Sequence, residues 1–141
     1  MIEKDTKLKI IINSFDDLES AREPIIKFCT THCTNPDELD VLEMSILEAC
    51  HNAVLHGEKQ ENKNLCELQL LLDNHSIKVV VRNYGSRYDI DEKEEFSIDQ
   101  DFLQYKNGGL GIPLIKSLMD SVEYKRKSED MNELTIIKKI K

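Results

Sequence analysis

The sequence predicts an α+β fold, a two-layer sandwich in which helices cover a sheet built from hairpins. Two long stretches with helical spacing follow one another near the N-terminus, over residues 16–33 and 37–56. Strand-like runs come in adjacent pairs around short polar turns, at 65–82 and 122–140. Helices gathered apart from hairpins argue against a doubly wound parallel sheet.

Each element has its own signal. Lys-Leu-Lys-Ile-Ile-Ile, residues 7–12, is β-branched at its end and partly alternating, so it reads as a strand closed by Asn13 and Ser14. Asp16 or Asp17 is expected to cap the first helix, which runs to about Cys33. Leu18, Ala21, Ile25, Phe28 and Cys29 form its inward stripe, and Pro24 marks a kink or a later start. Thr34-Asn35-Pro36-Asp37 is a turn and a second cap. The helix that follows runs to about His56, with Leu39, Leu42, Ile46, Ala49, Cys50 and Ala53 inward and Gly57 as its stop. Residues 58–64 are a polar loop. Leu65 to Leu72 and Ser76 to Arg82 form a hairpin around Asp73-Asn74-His75. Residues 84–108 have no apolar period, and a segment of that length within a domain is usually a lid or binding loop. Leu110, Leu114, Ile115 and Leu118 restore helical spacing. Val122 to Lys127 and Leu134 to Ile140 close the chain as a second strand pair.

The chain has 141 residues, enough for a single domain over 1–141 with a proper core. It is 40% hydrophobic and 33% charged, with no apolar run of membrane-spanning length. The N-terminus, Met-Ile-Glu-Lys-Asp-Thr-Lys, lacks the apolar centre of a signal peptide, so a cytoplasmic location is expected. A net charge of −8 argues against direct nucleic-acid binding, which needs cations to displace phosphate counterions. Of the four cysteines, Cys50 and Cys66 lie in apolar stretches and read as core. Cys29 and Cys33 flank a His but lack a second ligand pair at zinc spacing, so they read as reduced thiols.

Three short stretches carry chemistry. Ser45 to Gly57 reads as a buried helix, yet Glu48 and Asn52 lie four residues apart and leave the same face. A polar helix edge would account for them alone. A carboxylate and an amide oxygen in register also suit Mg²⁺, which takes oxygen ligands and completes its shell with water and phosphate. Asn107-Gly-Gly-Leu-Gly-Ile-Pro113 places glycines before a helix N-terminus, an arrangement that admits phosphate to backbone N–H groups, with Lys106 beside it. Arg82-Asn83-Tyr84-Gly85 follows a Val-rich strand and can put one acceptor at a strand end before a glycine turn.

In this order and spacing the three stretches resemble the GHKL (histidine-kinase-like) ATPase superfamily. More narrowly they resemble the bacterial anti-sigma-factor serine/threonine protein kinases of partner-switching systems. Leu-Glu-Ala-Cys-His-Asn-Ala-Val-Leu-His-Gly, residues 47–57, and Gly-Gly-Leu-Gly-Ile-Pro-Leu-Ile-Lys-Ser-Leu-Met-Asp-Ser-Val-Glu-Tyr, residues 108–124, carry the likeness. It implies a sandwich of the Bergerat type, with a mixed, mostly antiparallel sheet and helices on one face. It implies ATP and Mg²⁺ as cofactors, and a sigma factor and an anti-sigma-factor antagonist as protein partners. A homodimer through the sheet fits the same resemblance. By the same resemblance Glu48 is the catalytic base and Asn52 the Mg²⁺ ligand. His56 lines the pocket, and Asn83 accepts from the adenine amino group. Gly85 lets the turn approach the base, and Lys106, Gly108, Gly109, Leu110 and Gly111 close on the phosphates. The family has an acid where this chain has Asn83. A neutral acceptor there weakens the bond by about 1 kcal/mol, so Asn83→Asp is expected to tighten ATP binding. Asn83 also motivates an alternative, a non-catalytic partner-binding module of the same fold with weak or no nucleotide binding.

Overall fold

The computed structural model describes residues 7–73, 75–85 and 118–140. Within them the chain runs β1 (Lys7–Ile12), α1 (Phe15–His32), α2 (Pro36–Leu55), β2 (Cys66–Leu72), β3 (Ser76–Tyr84), β4 (Ser121–Arg126) and β5 (Met131–Lys139). The five strands form one sheet in the order β1-β2-β3-β5-β4. Among the described residues every pairing is antiparallel, where a mixed sheet was expected. The 86–117 stretch, with most of the helix expected over 110–119, lies outside the described residues.

Both helices pack on one face of the sheet. Alternation decides which side chains meet them. Leu68 and Leu70 of β2, Ile77, Val79 and Val81 of β3, and Leu134 and Ile136 of β5 are fully buried on that face. They meet Ile25 and Cys29 of α1 and Leu42, Ile46, Ala49, Cys50 and Ala53 of α2 in one cluster. The opposite face carries a charged row. Glu67, Arg82 and Glu133 sit side by side in register, with Lys125 next on β4. Arg82 Nε donates to Glu133 at 2.6 Å, and Lys9 Nζ lies 3.6 Å from Glu67. Burial raises the proton affinity of the Glu133 carboxyl, but the hydrogen bond and charge of Arg82, with Lys127, outweigh it. Its pKa falls below the usual Glu range.

The helix starts differ from expectation in one place. Ser14, rather than Asp16 or Asp17, is the N-cap of α1, and its side chain accepts from Asp17 N–H at 3.1 Å. Asp17 instead reaches back to accept from Asn13 N–H at 2.8 Å. The two bonds are reciprocal in the manner of a capping box, but the acid at the third helical position reaches one residue past the cap, to the N–H of Asn13. Pro24 sits inside α1, which continues through it to His32. At α2 the expected cap holds: Asn35 Oδ1 accepts from Asp37 and Glu38 N–H groups, with Pro36 in the first turn.

Candidate nucleotide site

The apolar side of α2 holds the helix on the sheet, and this places its polar residues. Ile46, Ala49, Cys50 and Ala53 have no exposed surface. Glu48 and Asn52, on the adjoining face, are half-buried at the helix margin. Burial disfavours the thiolate at every cysteine. All four cysteines are free and buried, and burial pushes Cys29 and Cys66 up to about 12 and raises Cys33 and Cys50 as well.

Asn83 is the most informative residue of the site. β3 runs two residues further than the sequence suggests, so Asn83 lies within the strand, paired with Cys66 and Asn132. Its side chain faces the helices and is 1% exposed. Nδ2 donates to Ala53 O at 3.1 Å. Ala53 is in the last turn of α2, where carbonyls lack intrahelical donors. Gly57 N–H, four residues on, donates to Val54 O instead. Asn83 therefore caps α2 from a neighbouring strand. A carbonyl opposite fixes which end of the amide faces it, so Oδ1 is left as the free end. That oxygen is buried and has no hydrogen-bond partner among the described residues. A buried acceptor left unpaired costs about 1–3 kcal/mol, which a ligand N–H relieves on binding. Oδ1 is therefore left able to accept a hydrogen bond at this point.

Gly85 follows at once, and its conformation is set by packing against the end of α2. Its φ is +149°, and a Cβ there would stand 2.6 Å from His56 O and 3.0 Å from Glu58 N. Gly57 and Gly85 form a β-bridge, and Glu58 N–H donates to Tyr84 O at 2.7 Å. Gly57 stops α2 by close approach as well, since its Cβ would meet Leu65 Cδ1 at 2.5 Å and Ala53 O at 2.7 Å. His56 is the exposed C-cap residue of α2 beside this bridge.

Beside Gly85 lies a polar corner that sequence reasoning missed. Arg126 donates to Gly85 O at 2.7 Å and to Asn132 Oδ1 at 2.9 Å, and also reaches Glu129 O. Tyr124 O–H donates to the same Asn132 oxygen. These three residues share the helix-facing side of β4 and β5. The available signal was polar residues at alternate positions on strands otherwise apolar on that side. The structure thus brings His56, Asn83 and Gly85 together at the C-terminal end of α2, with Asn52 and Glu48 about one and two turns back along the same helix. Lys106, Gly108, Gly109, Leu110 and Gly111 lie outside the described residues.

Comparison with known proteins gives this corner its context. Residues 13–138 match the family model of the histidine kinase-like ATPase domain. The chain is 30% identical over 96 residues to the serine-protein kinase RsbW of Bacillus velezensis, covering 65% of this chain and 60% of that protein. It is 29% identical over 96 residues to the same kinase of Bacillus subtilis, with the same coverage. It is 29% identical over 104 residues to the anti-sigma F factor of Oceanobacillus iheyensis, covering 73% of this chain and 70% of that one. The chain thus spans less than two thirds of the length of these two Bacillus kinases. A chain in the crystal structure of the SiaB–SiaC complex from Pseudomonas aeruginosa superimposes with a TM-score of 0.65 at 15% identity. That match covers 93% of this chain and 87% of the other, a likeness of fold.

Proposed function

Given that the chain belongs to the histidine kinase-like ATPase domain family, we propose that it is an ATP-dependent protein serine/threonine kinase of the anti-sigma-factor type. In this reading it holds a sigma factor and phosphorylates an anti-sigma-factor antagonist. The observation that carries the nucleotide half is the Asn83 amide. Its donor is engaged by Ala53 O, and its buried acceptor awaits a donor. The adenine amino group supplies that donor, and Asn83 excludes a base that presents a carbonyl there. The names of the relatives, serine-protein kinase and anti-sigma F factor, support the two protein-level roles.

The remaining roles rest on the resemblance of the motifs. Glu48 accepts the proton of a Ser or Thr hydroxyl as that oxygen bonds to the γ-phosphorus. The bond from phosphorus to the ADP oxygen breaks, and the products are ADP and a phosphorylated side chain. Asn52, one turn along α2, offers an amide oxygen to Mg²⁺. Among the described residues no group of three or more His, Cys, Asp or Glu is placed to hold a metal. The ion would thus draw its other ligands from phosphate and water, as Mg²⁺ commonly does, and when bound it neutralises phosphate charge. Lys106 and the glycines at 108, 109 and 111 take the phosphate-closing role on their motif alone. A net charge of −8 suits basic partner surfaces. The cytoplasm is the compartment this reading implies, and a homodimer through the sheet belongs to it too, which light scattering tests.

Calorimetric titration with ATP in the presence of Mg²⁺ is the deciding experiment. Binding at micromolar affinity or tighter is expected. No detectable binding would overturn the kinase reading and leave a partner-binding module of the same fold.

A further inference from the structure

A groove of about 430 Å³ runs between the start of β1 and the second half of α1. It flanks an open sheet edge. Among the described residues β1 pairs with β2 alone, so one row of its backbone N–H and C=O groups has no ladder partner. The same strand is incompletely covered on its helix side. Leu8 and Ile10 face the helices yet stay only partly buried, while their partners on β2, Leu70 and Leu68, have no exposed surface.

The lining specifies the chemistry of an occupant. α1 presents one face to the groove, on which Pro24, Lys27, Phe28 and Thr31 recur at three- and four-residue spacing. Leu8, Pro24 and Phe28 give an apolar floor, and the Phe28 ring packs on His32 with centroids 4.7 Å apart. Thr31 Oγ1 donates to Lys27 O at 2.7 Å, so its hydroxyl is turned onto the helix backbone. The rim is cationic. Lys7 and Lys27 line it with no acid among the lining residues, and neither lysine has an ion-pair partner among the described residues. In a chain of net charge −8 this is a local reversal of sign.

We propose that the free edge of β1 and the groove beside it form a docking site for an acidic, extended segment of another protein, which adds to the sheet next to β1. Its backbone pairs with the open edge. Alternate apolar side chains lie over Leu8, Pro24 and Phe28, and Asp or Glu side chains meet Lys7 and Lys27. A strand answers both features at once, whereas a helix in the groove leaves the edge groups of β1 unpaired. A second copy of the chain fits less well. Lysines at 7 and 9 set like charges close together when β1 pairs with β1, directly opposite in the register centred on Lys9. No residue of α2 lines the groove, so this surface is separate from the Asn83 corner and does not depend on the nucleotide reading.

The test uses two capped peptides with alternating Val, one with Glu and one with Lys in the remaining positions. Each is titrated into the full chain without nucleotide, and NMR follows amide shifts and amide hydrogen exchange. The Glu peptide should shift amides of residues 7–12 and 24–32 and slow exchange along β1, with the Lys peptide at least about tenfold weaker. The double variant Lys7→Glu, Lys27→Glu, at two exposed positions, should weaken the Glu peptide about tenfold and leave ATP affinity by calorimetry unchanged. Equal binding of the two peptides, shifts confined to other elements, or wild-type affinity in the double variant would overturn the proposal. Shifts at 24–32 with unchanged exchange along β1 would overturn strand addition. Concentration-dependent protection of β1 without peptide would give the edge to a second copy and overturn it too.

Discussion

Asn83→Asp separates the two roles of one buried side chain. In the wild type Nδ2 donates to Ala53 O, and Oδ1 is held as an acceptor. A carboxylate can still accept from a ligand but cannot cap the helix. The substitution removes one hydrogen bond, worth about 1 kcal/mol, and sets two acceptors against each other in a position that is 1% exposed. An uncompensated buried charge adds to that, and Arg126 is already engaged by Gly85, Glu129 and Asn132. The expected loss is about 2–4 kcal/mol at pH 7, a fall of roughly 6–12 °C in Tm for a chain of this length. The sign of its pH dependence follows. Burial raises the pKa of the introduced carboxyl in the folded state above its unfolded value, so the folded variant prefers the protonated form. The deficit is full above the folded pKa and fades as pH falls towards the ordinary Asp range. ATP affinity should move the other way, tightening several-fold, because a charged acceptor makes a stronger bond to the adenine amino group. Urea unfolding at pH 7 and pH 5 without nucleotide, with calorimetry at pH 7, measures both. A variant as stable as wild type at pH 7 would refute the capping role. Weaker ATP binding would refute the acceptor role.

Further substitutions address other parts of the site. Glu48→Ala should abolish phosphotransfer to a protein acceptor while ATP binding stays within about twofold, and equal transfer by mutant and wild type would remove Glu48 from the chemistry. Gly85→Ala should cost about 2–4 kcal/mol, because the new Cβ meets His56 O at 2.6 Å and φ is +149°; a thermal melt unchanged within a degree would show that the backbone yields there. Glu133→Gln tests the charged row. The Glu133 pKa is depressed in the folded state, so its contribution is present above the ordinary Glu value and is lost as pH falls through the folded one. The variant should be about 1–2 kcal/mol less stable at pH 7 and converge on wild type as pH falls below the folded-state pKa of Glu133, whereas a gap that does not close with falling pH would contradict the pairing with Arg82.

What is legible in the sequence follows the range of the forces involved. Helix stripes and strand pairs are local periodicities, and the inward stripe of α1 is legible in full: Leu18, Ala21, Ile25, Phe28 and Cys29 are its buried residues. The cap of α1 is harder to place because two side chains, Ser14 and Asp17, share the work in opposite directions, and a tally of cap formers does not say which donates to whom. Strand ends are obscured where polar residues pair inside the sheet. Asn83 and Asn132 face each other across β3 and β5, yet each reads as turn material by composition. The corner of Tyr124, Arg126 and Asn132 is missed for the same reason, since its polar alternation gains meaning only once β4 and β5 pair.

Asn83 shows how a motif departure is to be read. By the family resemblance alone an amide in place of an acid looks like a weakened acceptor. In the fold the amide has a second partner, Ala53 O, which an acid cannot satisfy. The same bond orients the residue, since the carbonyl of α2 holds the NH₂ end and turns the oxygen to the free side. The helix that carries Glu48 and Asn52 is thereby tied, through its last turn, to the strand that carries Asn83, the proposed base acceptor. In the proposed reading a nucleotide bound at Asn83 is positioned relative to Glu48 by α2 itself, a helix with a buried apolar side and little freedom to shift. If that coupling holds, Asn83→Ala should loosen the C-terminal turn of α2 as well as weaken ATP binding. Amide hydrogen exchange reads the first effect directly: protection at His56 and Gly57 should fall in the variant without nucleotide, and unchanged protection would mean that the cap bond does not hold the helix end.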